Sequence, residues 1–204
     1  KCVSYFSSKA QKLLLDRLKY TNKNLKVSDV TAPKQKLSNC WFNTMFMIFF
    51  ISNKGRKFFK YLRQLMIEGK NINGDKINTK LRNVLARFNL AIEHSMTNRQ
   101  DILDTYDTND LIEGIYYNIP LSFRKKNKYL KKRGESGNPL LFYLELVSYL
   151  NNSDSVNIKR LPFWYNYEIN IDGNIEETVY EKIDHNNPPD IIVVELMDSI
   201  STGY

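Results

Sequence analysis

The chain has 204 residues, 42% hydrophobic and 13% aromatic, which is enough apolar material for one large packed domain or two small ones. Its 30 Lys and Arg against 22 Asp and Glu give a formal net charge of +8. Two cysteines and two histidines exclude a disulfide framework and a zinc cluster, so we expect reduced thiols, no metal and no cofactor.

The charge is unevenly distributed along the chain. Residues 1–70 hold 15 Lys and Arg against 3 Asp and Glu, and residues 71–150 hold 12 against 9. Residues 151–204 reverse the sign, with 3 basic against 10 acidic residues. A basic first part is typical of polyanion binding, of docking to an acidic partner, or of an ordinary solvated surface. No apolar run reaches the roughly 18 residues that span a bilayer, so we expect no membrane span.

The N-terminal part, residues 1–36, is predicted to be a basic helix and an arm. Residues 4–20 have a partial apolar stripe at helical spacing, formed by Leu13, Leu14 and Leu18. Residues 21–38 are polar and contain Pro33, which indicates a linker or an arm that follows the surface.

A helical part, residues 37–152, is predicted to follow. Ser38 or Asn39 is a good N-cap for a helix that runs to about Ile51 and is apolar on nearly every face, which predicts burial on every face. Further helices are predicted at about 55–68, with Gly69 as its stop, at 79–96, at 109–119, and from Asn138 and Pro139 onward.

Between these helices, residues 124–137 form a charged segment that we predict to be a mobile loop. Seven of the ten residues from Arg124 to Arg133 are basic, which suggests a phosphate or nucleic-acid contact as well as a solvated loop. The aromatic residues fall mostly in predicted core stripes and are not interleaved with these cations, as stacking platforms would be.

The periodicity changes to two in residues 153–204. The segment "FWYNYEINID" alternates apolar and polar residues, and Asp172-Gly173 predicts a hairpin that returns through "ETVYEKI". The β-branched run "IIVVEL" is typical of a central strand. Helices followed by an antiparallel sheet predict an α+β fold with two packed subdomains.

One motif suggests chemistry: Cys40 lies where the loop enters the predicted buried helix. The positive end of a helix favours the thiolate, which is the nucleophilic form of cysteine, and its N–H groups can stabilise an oxyanion. Asn39 and Asn43 add amide donors that would support the oxyanion or the loop. The alternative is a buried core cysteine, because the residues that follow are so apolar.

The segment "NCWFNT" resembles the cysteine box of the papain-like superfamily, and Asn43 at the third position after the cysteine resembles ubiquitin-specific proteases. The run "NNPPDIIVVEL" is similar to the Pro-Pro strand of the same proteases. The pattern looks most like the ubiquitin-specific-protease-like thiol peptidases of large DNA viruses. The resemblance implies a papain-like fold with a helical thumb and an antiparallel palm, and Cys40 as nucleophile. It also implies a cytoplasmic or virion location.

The catalytic base is the main departure from that family, whose histidine box follows the Pro-Pro strand. His94 falls on the polar side of a predicted helix and is expected to be a surface residue, and His185 precedes the strand that it should follow. We therefore expect either that the chain is a fragment with its histidine beyond Tyr204, or that His185 serves, or that the chemistry has been lost.

Three functions follow from the sequence. The first is a thiol peptidase whose partner is ubiquitin, a ubiquitin-like protein or a viral precursor. The second is a catalytically inactive structural or assembly protein that binds other virion proteins. The third is a basic protein that binds nucleic acid through residues 54–63 and 124–133.

Overall fold

The computed structural model describes residues 3–20, 23–151, 164–170, 186 and 191–197. The chain divides into two compact units, Lys1–Ser155 and Val156–Tyr204. The first unit is helical, and the second contains a pair of strands.

The helical unit is built from short and medium-length helices joined by loops. Within the described residues they are α1 (Ser8–Leu18), a 3₁₀ turn (Val27–Asp29), α2 (Cys40–Phe46), a π-helical turn (Met47–Ile51), α3 (Asn53–Phe58), α4 (Lys60–Glu68), α5 (Thr79–Ser95), α6 (Gln100–Leu103), α7 (Thr108–Asn118), α8 (Leu121–Lys126) and α9 (Pro139–Leu150). Every helix in this part of the chain is too short or too polar to cross a membrane.

Several helix ends lie where the sequence predicts them. The side chain of Asn138 accepts hydrogen bonds from Leu140 and Leu141, and Pro139 is the first residue of α9. Gly69 ends α4 in the left-handed conformation, with φ of 67°. The predicted helix at 55–68 is interrupted at Phe59, so two helices replace one.

The core is an aromatic cluster around α2 and the π-helical turn. The Phe42 ring lies 5.1 Å from Tyr143 and 5.6 Å from Phe88, and the Phe46 and Phe88 rings stack at 5.9 Å. Phe50 meets Phe88 edge to face at 5.2 Å. All five rings are 0–1% exposed. Each such ring pair contributes about 0.5–1.5 kcal/mol beyond the burial of apolar area.

The prediction that the helix from residue 39 to 51 is buried on every face is wrong along one stripe. Cys40, Thr44 and Ile48 are exposed, and their spacing of four residues places them on one side of the helix. The aromatic side chains of this segment and Ile51 are buried, and Met45 and Met47 are partly buried.

The π-helical turn is a local widening of this central helix. Ser52 donates its backbone N–H to the carbonyl oxygen of Met47, five residues earlier, at 2.9 Å. Because the turn is wide, the consecutive residues Phe49, Phe50 and Ile51 are all buried. A Cβ atom at Gly55 would lie 2.0 Å from the Ile48 carbonyl oxygen, so a glycine permits this close approach.

The segment between α1 and α2 is an arm that follows the surface. Thr31 donates its N–H to Ser95 at 2.9 Å, and Asn98 donates its N–H to Asp29 at 2.8 Å. These hydrogen bonds attach the arm to the end of α5.

The papain-like α+β fold with an antiparallel palm is wrong. The described part of the first unit is helical, and the two described strands of the second unit, β1 (Trp164–Asn170) and β2 (Ile191–Met197), run parallel. Trp164 pairs with Ile191, and Asn170 pairs with Met197. A period of two predicts a strand but not the direction of its partner, and a parallel pair needs a crossover rather than a hairpin. The hairpin at Asp172-Gly173 and the strand "ETVYEKI" lie outside the described residues.

Candidate functional site

Cys40 is the first residue of α2, and it is a free, exposed cysteine. The alternative of a buried core cysteine is therefore wrong. Thr44, one turn further along the exposed stripe, donates its hydroxyl to the Cys40 carbonyl oxygen at 2.9 Å. Among the described residues, the Cys40 sulfur accepts no hydrogen bond and has no histidine or carboxylate paired with it.

The two asparagines beside Cys40 belong to a buried polar clamp, which we define as Asn39, Asn43 and Thr108. Asn39 donates from Nδ2 to the Thr108 hydroxyl at 2.7 Å, and that hydroxyl donates to Oδ1 of Asn43 at 2.8 Å. The three residues are at most 9% exposed. The clamp joins the start of α2 to the start of α7.

The clamp also holds the loop that leads to Cys40. Oδ1 of Asn39 accepts the Lys36 N–H at 3.0 Å, and Nδ2 of Asn43 donates to the Lys34 carbonyl oxygen at 3.3 Å. This loop contains Leu37, which has a left-handed φ of 53°. The loop is thus fixed by side chains of α2.

The hydrogen bonds of the clamp show a structural role for Asn39 and Asn43, the two residues predicted to support an oxyanion. Asn39 donates a side-chain N–H to the Thr108 hydroxyl, and Asn43 donates one to the Lys34 carbonyl oxygen. Both side chains therefore stabilise the loop before Cys40. A catalytic role for Cys40, Asn39 and Asn43 stays a prediction, since each carboxamide has two N–H groups and donates one hydrogen bond to the loop or the clamp. His185, the candidate base, lies outside the described residues.

His94 lies near the end of α5, and it is partly buried. Its ring is 6.0 Å from the Tyr106 ring. Burial, followed by the nearby charge of Arg99, lowers the pKa of His94, which favours the neutral imidazole. Within the described ranges, no group of three or more His, Cys, Asp and Glu side chains is placed to hold a metal ion.

A second candidate surface lies on α7, α8 and the loop that follows them. We define the basic–aromatic surface as Tyr116, Tyr117, Arg124, Lys125, Lys126, Lys128, Tyr129 and Lys132. The Arg124 guanidinium lies 4.3 Å from the centre of the Tyr116 ring, and Lys132 Nζ lies 5.6 Å from it. Tyr117 packs edge to face against Tyr116 at 5.2 Å. The prediction that aromatic residues are not interleaved with these cations is wrong.

The loop in this surface is anchored, which corrects the prediction of a mobile segment over residues 124–137. The carboxylate of Glu145, on α9, accepts the N–H groups of Tyr129 at 3.0 Å and Leu130 at 2.6 Å. Glu145 is 2% exposed, and its burial raises the pKa of the carboxyl. The Trp41 indole donates to the Glu135 carbonyl oxygen at 3.2 Å, which fixes the far end of the loop.

One of the seven basic residues in this stretch forms ion pairs with carboxylates of the helical unit. Arg133 pairs with Asp110 at 2.7 Å and with Asp107 at 3.3 Å. The exposed lysines Lys125, Lys126 and Lys128 form no ion pair among the described residues, so their charges face solvent.

Comparison with known proteins does not assign the chain: no protein-family model, no curated protein and no solved structure matches it. The exposed thiol of Cys40 and the basic–aromatic surface are therefore the two features from which a function can be inferred.

We predict that Thr108→Val destabilises the fold and loosens the loop before Cys40. Valine has the shape of threonine without its hydroxyl, so Nδ2 of Asn39 and Oδ1 of Asn43 lose their buried partner. We expect a loss of about 2–4 kcal/mol in the free energy of unfolding, measured by urea titration, and faster alkylation of Cys40 by iodoacetamide.

Thr105→Val is the matched control, because the Thr105 hydroxyl is exposed and donates to the Ile102 carbonyl oxygen at 2.7 Å. We expect this variant to stay within about 0.5 kcal/mol of the natural protein. Equal stability losses in the two variants would contradict a special role for the clamp.

Proposed function

We propose that the helical unit binds single-stranded nucleic acid through the basic–aromatic surface. The observation that carries the proposal is the packing of two cations, Arg124 and Lys132, against Tyr116, next to the exposed ring of Tyr117. Charged groups that contact phosphates and aromatic faces that stack on bases are the two components of single-strand binding sites.

The basic–aromatic surface has exposed aromatic rings that can stack on bases and exposed lysines that can contact phosphates. Tyr117 is 58% exposed and Tyr129 is 43% exposed, so both rings are accessible to a splayed-out base. The unpaired lysines of α8 and its loop neutralise phosphates and release their counterions. The Glu145 anchor holds the Tyr129 backbone in place, so less conformational entropy is lost when a strand binds.

The charge of the whole unit supports the same partner. Residues 1–155 hold 27 Lys and Arg against 13 Asp and Glu, a net charge of +14. Residues 156–204 hold 3 against 9, a net charge of −6. The excess of positive charge thus belongs to the helical unit, where it attracts a polyanion over distances of a Debye length.

We predict that the double variant Lys125→Glu, Lys126→Glu weakens binding to a fluorescein-labelled, 5′-hydroxyl oligothymidylate, measured by fluorescence anisotropy. If each lysine neutralises one phosphate, the slope of log K against log salt concentration falls by about 1.4 in magnitude. Lys9→Glu, Lys12→Glu on α1 is the control, because it makes the same change in net charge on another exposed helix. Equal losses in both variants would show that only net charge matters and would overturn the assignment of the surface.

We predict that Tyr117→Ala lowers the affinity by about 1–3 kcal/mol at constant salt, since one base loses its stacking partner. The salt slope should stay unchanged because no charge is removed. Tyr20→Ala is the control, because Tyr20 is similarly exposed, at 61%, and is not part of this surface. Binding to polyglutamate but not to the oligonucleotide would indicate an acidic protein partner instead.

The exposed thiol favours a second candidate, a thiol-dependent peptidase in which Cys40 attacks ubiquitin, a ubiquitin-like protein or a viral precursor. We expect a ubiquitin with a C-terminal electrophile to label Cys40 and not to label Cys40→Ala, as read by mass spectrometry of the modified peptide. If iodoacetamide modifies Cys40 while the ubiquitin probe does not, this candidate fails. Oligonucleotide binding by Cys40→Ala should equal that of the natural protein, which separates the two functions.

A further inference from the structure

A pocket of about 250 Å³ in the helical unit has a strongly cationic lining. Its polar wall carries three guanidinium groups and one carboxylate, from Arg17, Arg56, Arg63 and Glu93. None of these residues belongs to the basic–aromatic surface, so the pocket is independent of the proposed function.

Arg56 is a buried arginine without a counterion in this pocket. It is 3% exposed, and its Nη2 donates to the Lys23 carbonyl oxygen at 2.7 Å and to Oδ1 of Asn53 at 2.6 Å. Both partners are neutral, and no carboxylate of the described residues lies within ion-pair distance. Its Nε is buried without any hydrogen-bond partner. The guanidinium thus has hydrogen bonds to neutral acceptors but no counterion, and its Nε has no acceptor, which is costly for a buried charged group.

The one carboxylate in the pocket is already shared. Glu93 accepts hydrogen bonds from Arg63 through Oε1 and from Arg17 through Oε2, the latter at 3.2 Å. Three positive charges against one negative charge leave the pocket with a formal charge of +2. Burial, followed by the charge of Arg63, lowers the pKa of Arg56, which is the direction expected for a guanidinium without a counterion.

The geometry points to a binding site for a phosphate monoester in this pocket. A phosphate dianion matches the net charge, and its oxygens accept hydrogen bonds from Arg17, whose side chain is 54% exposed and accessible from solvent. The buried guanidinium groups of Arg56 and Arg63 attract the dianion electrostatically. Arginine is the residue best suited to phosphate oxygens, because its planar donors form charge-assisted, paired hydrogen bonds.

The apolar wall indicates what the phosphate is attached to. Tyr20, Leu25 and Met96 line the same pocket as the arginines. Lys23 Nζ lies 4.9 Å from the centre of the Tyr20 ring. An aromatic or apolar group on the phosphate would pack against this wall, so the ligand class is a small phosphate monoester with such a group.

Phenyl phosphate and inorganic phosphate are the probes, tested on the full chain in phosphate-free buffer by calorimetry and by the thermal unfolding midpoint. We expect phenyl phosphate to bind more tightly than inorganic phosphate and to raise the midpoint as its concentration rises. Arg17→Gln should weaken phenyl phosphate binding by about tenfold or more. Arg56→Gln should abolish the response, while its midpoint without ligand should stay equal or rise because an unpaired buried charge is removed.

Arg87→Gln is the control, since Arg87 is an exposed arginine on α5 that pairs with Asp110 outside the pocket. An equal loss in Arg87→Gln and Arg17→Gln, or no response of the natural protein to either probe, would overturn the site. If Arg56→Gln does not fold, Arg17→Gln still decides the question.

A third arm compares 5′-phosphorylated with 5′-hydroxyl dithymidylate. A response to the phosphorylated form that needs Arg17 supports the site and identifies a nucleic-acid end as the source of the phosphate. Failure of the small-ligand probes leaves the oligonucleotide predictions for the basic–aromatic surface unaffected, so the two proposals fail separately.

Discussion

The buried ion pair between Arg63 and Glu93 is the constraint on which the arrangement of the helical unit depends. Arg63, on α4, is 2% exposed and also donates from Nε to Oδ1 of Asn89 at 2.9 Å. Because Glu93 and Asn89 lie on α5 and Arg17 on α1, one charge cluster fixes three helices relative to one another. Removing one partner of such a pair leaves an uncompensated buried charge, which typically costs 3–5 kcal/mol. The neighbouring Arg56 then lies beside a positive charge with no carboxylate left for it.

Hydrogen bonds from buried polar side chains also fix the backbone at both candidate surfaces. Thr108 and Glu145 are buried side chains whose hydrogen bonds fix a loop, the first before Cys40 and the second within the basic–aromatic surface. Each loop therefore keeps a defined backbone while its exposed side chains face solvent. An exposed group on a fixed backbone is what recognition of a partner requires, because little ordering is left for the binding step.

The sequence predicts features that depend on neighbours along the chain. The cap at Asn138, the stop at Gly69 and the extent of α5 follow from local chemistry and a period of 3.6. Hydrogen bonds between residues that are distant along the chain cannot be predicted from local sequence patterns. Thr108 is 69 residues from Asn39, and Glu145 is 15 residues from Leu130, so neither the clamp nor the loop anchor has a local signal. The prediction of antiparallel strands is wrong for the same reason, because alternation of apolar and polar residues indicates a strand but not which strand pairs with it.

The π-helical turn has a consequence for how this chain tolerates changes in length. A turn closed over five residues is equivalent to an α-helical turn with one residue inserted, so deletion of one residue within Met47–Ile51 would restore ordinary pitch. Because the wide turn accommodates the extra residue, that deletion would remove the bulge without a large rotation of the segments on its two sides. It would also withdraw the Ile48 carbonyl from the place that now excludes a side chain at Gly55. Homologous sequences are therefore expected to keep or lose the extra residue and the glycine together.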